Sequence, residues 1–155
     1  MADDPYDLER FVVAQVLGGI YDRALEELGS GHKSGHWMWF VFPQVAGLGQ
    51  SARSRYFAIS SLDEALAYLD DRVLGPRLVE SAAAVLQVEG RTAEEILGGI
   101  DAVKLRSSMT LFLRAAPGEA VFSQVLDKYF GGQADPATDE LLCVPTDRAK
   151  VVPKE

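Results

Sequence analysis

Apolar residues in this chain recur every three or four positions, in short runs separated by glycine, proline and helix-capping residues, and no stretch alternates convincingly. A period near 3.6 places such residues on one face of a helix, whereas a half-buried strand needs a period of two. Leu8, Phe11, Val12 and Val16 form the first run, with Asp7 placed to cap it. Gly18-Gly19 interrupts, and Ile20, Ala24, Leu25 and Leu28 continue to Gly29. Ser61 and Glu64 read as a capping box ahead of Ala65, Leu66 and Leu69, and Thr92 and Glu95 as another ahead of Ile96 and Leu97. Asp71 opens a helix carrying Leu78, Ala82, Val85 and Leu86. Asp101 is read as the cap of a helix running to about Ala116, before Pro117. Phe122, Val125, Leu126 and Tyr129 mark another, closed by Gly131-Gly132, and Asp135-Pro136 starts a last short one. The pattern predicts one all-α domain of about seven or more helices over residues 7–143, with loose termini at 1–6 and 145–155.

Residues 31–44 hold both histidines and both tryptophans, in the order His32, His36, Trp37 and Trp39, followed by Phe40 and Phe42. Aromatic side chains bury large areas, and indole needs a partner for its N–H, so this stretch builds either core or a pocket wall. A short helix is expected here, ending before Pro43. The loop Gly47-Leu48-Gly49 follows, and Ser51 is placed to cap a further short helix through Tyr56.

Charge narrows the function. A formal net charge of −8 over 155 residues repels phosphate backbones, so no nucleic-acid partner is expected. The single cysteine, Cys143, permits no internal disulfide and suits a reducing compartment. Neither a signal peptide nor a membrane-spanning run is recognisable, so the expected location is the cytoplasm, without membrane association.

Few residues could carry chemistry. His36 could act as a general acid or base, or could simply hydrogen-bond a helix end. His32 and His36 have metal-ligand spacing only if helical; Gly31 and Gly35 oppose that, and no metal or other cofactor is expected. Lys104, Ser107 and Ser108 lie in the first turns after Asp101, where a cation and hydroxyl donors suit a phosphate or carboxylate. The alternative is that Lys104 pairs with a carboxylate and the serines are small residues at a helix crossing. The Gly47–Gly49 loop, followed by Arg53 and Arg55, matches neither a P-loop nor a dinucleotide fingerprint. Cys143 has no histidine near it in sequence, which disfavours a catalytic thiol.

Several of these stretches form a recognisable set: His36-Trp37-Met38-Trp39-Phe40-x-Phe42-Pro43-Gln44, Gly47-Leu48-Gly49, Leu74-Gly75-Pro76-Arg77-Leu78 and Lys104-Leu105-x-Ser107-Ser108-Met109-Thr110-Leu111-Phe112. Together they resemble the bacterial family known as domain of unknown function 1810, which includes the Rv1873-like proteins. The resemblance runs from about Asp7 to Leu142. It implies a mainly helical domain arranged as a right-handed superhelix, and it implies no activity. Two readings of function follow. In one, His36, Trp37 or Trp39, Lys104, Ser107 and Ser108 converge on a small anionic or nucleotide-like metabolite, with His36 as the acid–base group of any catalysis. In the other, the chain is a helical interaction module with a protein partner and no catalytic activity.

Overall fold

A computed structural model describes residues 4–143 of the chain; residues 1–3 of the expected leader and the expected loose tail at 145–155 lie outside the described residues. The architecture is all-α. In chain order the helices are α1 (Glu9–Val16), α2 (Ile20–Ser30), α3 (Met38–Val41), α4 (Ala52–Tyr56), α5 (Leu62–Asp70), α6 (Leu74–Leu86), α7 (Ala93–Leu97), α8 (Gly99–Ala115), α9 (Ala120–Phe130) and α10 (Pro136–Leu142). A 3-10 turn at Leu17–Gly19 joins α1 to α2, because Gly18 and Gly19 both adopt positive φ. An isolated bridge between Val45 and Ile59 is the extended pairing among the described residues.

Helix α8 is the axis of the molecule, packing against α5, α7, α9 and α10. Every residue from Ser107 to Phe112 is buried, so its middle is covered on all sides rather than on one face. That explains the small polar residues there. The Ser107 and Thr110 hydroxyls lie within hydrogen-bond distance of the carbonyls of Val103 (3.1 Å) and Arg106 (2.8 Å), one turn back, so they need no water.

Three starts differ from the sequence-based expectation. At α1 the N–H groups of Leu8 and Glu9 donate to the Asp4 carboxylate (2.7 and 3.0 Å), and Asp7, at φ 53°, makes no side-chain cap. At α5 Ser61 accepts from Glu64 N–H, but the Glu64 side chain turns away. It accepts from Ser60 N–H and from the Arg10 guanidinium, and is itself buried. Helix α8 begins at Gly99, two residues before Asp101, with the backbone break at Gly98 (φ 90°). Asp101 therefore sits inside the first turn, its carboxylate free for other partners. The other caps stand as read: Ser51, Asp135 and the complete Thr92–Glu95 box.

Arg10 and Gly75 fix the packing of the first half. The Arg10 guanidinium donates to the carbonyls of Tyr6, Asp7, Tyr56 and Ala58 as well as to Glu64, joining the start of α1 to the segment that enters α5. At Gly75 a Cβ would lie 2.0 Å from the Leu69 carbonyl oxygen, so only glycine lets α6 start this close to the end of α5.

Candidate functional site

The aromatic stretch is held in place by one carboxylate. Glu27, near the end of α2, accepts from the N–H groups of Ser34 (2.8 Å) and Gly35 (2.9 Å) and from the Trp37 indole (2.9 Å) through a single oxygen. Burial alone would raise the Glu27 carboxyl, but these donors outweigh it and hold it at about 2. Trp37 is completely buried, and its N–H is committed to Glu27. As the chain stands, Trp37 is part of the core and offers no surface to a ligand.

Beyond this anchor the chain forms a cleft of about 340 Å³ between the aromatic stretch and the α7–α8 junction. Lys33, His36, Met38 and Trp39 line one side, and Leu97 to Asp101 the other. The first N–H groups of α8 have no side-chain cap, since Gly98 occupies the cap position. A long helix that starts this way presents free donors and the positive end of its dipole.

Asp101 organises the cations. Its carboxylate is 2.9 Å from Lys33 Nζ and 3.7 Å from Lys104 Nζ. The Lys33 ammonium also donates to the Gly35 carbonyl and lies 5.2 Å from the Trp37 ring centroid, which leaves it largely enclosed. The Lys104 ammonium lies 5.0 Å from the centroid of the Trp39 ring, as does the Arg53 guanidinium. Attraction to the ring quadrupole suits both positions. Lys33 and Lys104 thus flank one carboxylate and Lys104 and Arg53 one indole ring, making this a locally basic spot on an acidic protein.

The expected site residues divide accordingly. His36 is exposed and, with Trp39, lines the cleft. Lys104 is one turn further along α8 and reaches the Trp39 ring. Ser107 is buried; its hydroxyl lies 3.0 Å from the Asp135 carboxylate that caps α10. Thr110 accepts from Asp135 N–H (2.8 Å), and the Arg106 guanidinium donates to the carbonyls of Gln133 and Ala134. The serine–threonine part of the Lys104–Phe112 motif therefore clamps the α9–α10 connection onto α8, while Ser107 and Lys104 together line a second cleft. Ser108 is completely buried. Its hydroxyl and the Trp39 indole N–H are the buried side-chain polar atoms without a hydrogen-bond partner among the described residues.

Sequence reasoning missed Lys33 and Asp101 as site residues, and weighed Arg53 only as a neighbour of the Gly47–Gly49 loop. Lys33 stands three residues before His36, so the aromatic stretch itself pointed to it; Asp101 was assigned to the helix cap.

The surroundings differ in character. A neighbouring cleft of about 370 Å³, lined by Gln44, Leu48, Ile100, Val103, Lys104 and Ala137 among others, shares Ile100 with the first. A groove of about 490 Å³ beside Gly75 contains Glu80 and Glu119 and no basic residue. The Gly47–Gly49 loop is shaped by packing: a Cβ at Gly47 would lie 3.0 Å from Leu141, and one at Gly49 2.3 Å from Ser54. Among the described residues no group of three or more His, Cys, Asp or Glu side chains could hold a metal ion, and no helix is long and apolar enough to cross a membrane.

Comparison with known proteins agrees with the fold. The sequence pattern of the family described as "Protein of unknown function (DUF1810)" matches residues 5–142. The crystal structure of the conserved hypothetical protein Rv1873 from Mycobacterium tuberculosis is 53% identical, with a TM-score of 0.88, covering 92% of this chain and 100% of that one. No match is found among the curated proteins.

Proposed function

The chain belongs to the DUF1810 family, and from its own residues we propose that it binds a small anionic metabolite in the cleft at the start of α8. The observation that carries this reading is the convergence there of Lys33, His36 and Trp39 with the uncapped first turn of α8. A helix N-terminus beside ammonium groups favours a carboxylate or phosphate. Lys104 extends the basic wall through Trp39, and His36 supplies an exposed imidazole that can donate to the anion or, in a reaction, carry a proton. Asp101 holds Lys33 and Lys104 in place and balances part of their charge until an anion arrives. Trp39 sits against Lys104 and Arg53 and lines the cleft, so it is the tryptophan whose emission reports on the site.

The test is a fluorescence screen of phosphate, sugar phosphates, nucleotides and small carboxylates against the wild type, Lys104→Ala, His36→Ala and Trp39→Phe. The proposal expects one class of anion to change the emission, a weaker response in Lys104→Ala and His36→Ala, and none in Trp39→Phe. No response to any anion contradicts it. A helical interaction module is the second reading, and the exposed Ile100 and Val103 beside Lys104 are the observation in its favour.

A further inference from the structure

We infer that the anion carries an apolar body, which lies over Ile100 in the second cleft; this rests on the anion site proposed above and extends it. Ile100 is 77% exposed and Val103 61%, on the first two turns of a helix whose middle is wholly buried. Large apolar side chains exposed next to a charged cleft lower their free energy when a ligand covers them.

The two clefts are arranged for one elongated ligand. Ile100 lines both, so a molecule whose head group lies beside Lys33 and His36 reaches the second cleft by crossing that side chain. Beyond Ile100 the second cleft is lined by Leu48, Val103 and Ala137, with Ser107 and the Asp135 carboxylate, already engaged in capping α10, also on its wall. Lys104 lines this second cleft while its ammonium lies 3.7 Å from Asp101 in the first, so the positive charge marks the join. Gln44 lines the second cleft and is only partly buried, so its side-chain amide can meet one polar group along the body. The sequence motifs gain a physical reason here. Gly47 and Gly49 let the loop pack against Leu141 and Ser54, which presents Leu48 to the cleft. The ligand class is a carboxylate or phosphate monoester with an aliphatic or aryl chain, rather than a compact anion.

The experiment is calorimetric titration with inorganic phosphate and with n-alkyl phosphates from ethyl to octyl, each below its micelle concentration. The proteins are the full chain and its Ile100→Ser and Val103→Ser variants. For the wild type the affinity is expected to rise about twofold to fourfold per methylene until the cleft is filled, and then to level off. In Ile100→Ser the rise flattens, measured against that variant's own affinity for inorganic phosphate. Val103→Ser, whose side chain lines only the second cleft, flattens the later part while inorganic phosphate binds as in the wild type. Both positions are exposed, so the thermal melts stay unchanged. Equal affinity for every chain length, with phosphate binding intact, overturns this inference and leaves the anion site standing. An undiminished rise in Ile100→Ser places the chain elsewhere and also overturns it. Absence of binding by every probe, phosphate included, removes the anion site and this extension together.

Discussion

The Lys104 ammonium stands 5.0 Å from the centroid of the Trp39 ring, joining the aromatic stretch of residues 31–44 to the start of α8. Through Asp101 the same ammonium is connected to Lys33, in the aromatic stretch itself. Four residues from two segments about 60 positions apart thus form one electrostatic unit at the mouth of the cleft.

The buried pair Arg10–Glu64 is expected to be the most sensitive ionic contact in the fold. Arg10→Ala leaves Glu64 enclosed without its cation and is expected to cost about 3–5 kcal/mol by urea denaturation. Arg10→Lys recovers only a minority of that loss, since an ammonium cannot serve five acceptors spread around a planar fork. A full rescue by lysine contradicts the clamp.

Ser107 and Lys104 are one turn apart and are expected to behave oppositely. Ser107→Ala removes the contact to Asp135 and is expected to destabilise by about 1 kcal/mol, with faster hydrogen exchange in α10. Lys104→Ala gives up one ion pair and one ring contact, each worth less than about 1 kcal/mol, and is expected to leave hydrogen exchange in α10 unchanged. Equal effects of both on α10 exchange contradict the division into a serine that holds α10 and a lysine that faces the cleft.

Much of the fold is legible in the sequence, because helix periodicity and caps are local. Thr92, Glu95, Asp135 and Pro136 act within four residues of themselves, and they stand where the sequence puts them. The start of α8 was misjudged because Gly98-Gly99 looks like a stop for α7, and only the first of the two glycines breaks the helix. The site was partly legible. Trp37 and Trp39 are equivalent in sequence, and a helix of four residues is too short for periodicity to tell which ring turns inward. The roles of Arg10, Glu64 and Ser107 depend on partners 28 to 54 positions away, and no local pattern announces such a contact.

Acid should act through Glu27. Its carboxyl is held near 2 against an ordinary 4.5, so its stabilising contribution is complete above about 4.5 and is lost as the pH falls toward 2. The stability difference between the wild type and Glu27→Gln is therefore expected to shrink steadily over that interval. Thermal melts at stepped pH check it, and a difference that does not change with pH contradicts the role assigned to the Ser34, Gly35 and Trp37 donors.

The central claim is that an anion is held at the start of α8 beside Trp39. Two-dimensional ¹H–¹⁵N NMR during a phosphate or alkyl phosphate titration tests it most directly, because the two indole N–H signals are separate and the amides of Gly98 to Asp101 are individually observable. The account predicts saturable shifts at Gly99, Ile100, Asp101 and the Trp39 indole, a nearly stationary Trp37 indole, and loss of these shifts in Lys104→Ala at the same ligand concentrations. Shifts centred on another part of the molecule, or none at any concentration, contradict it.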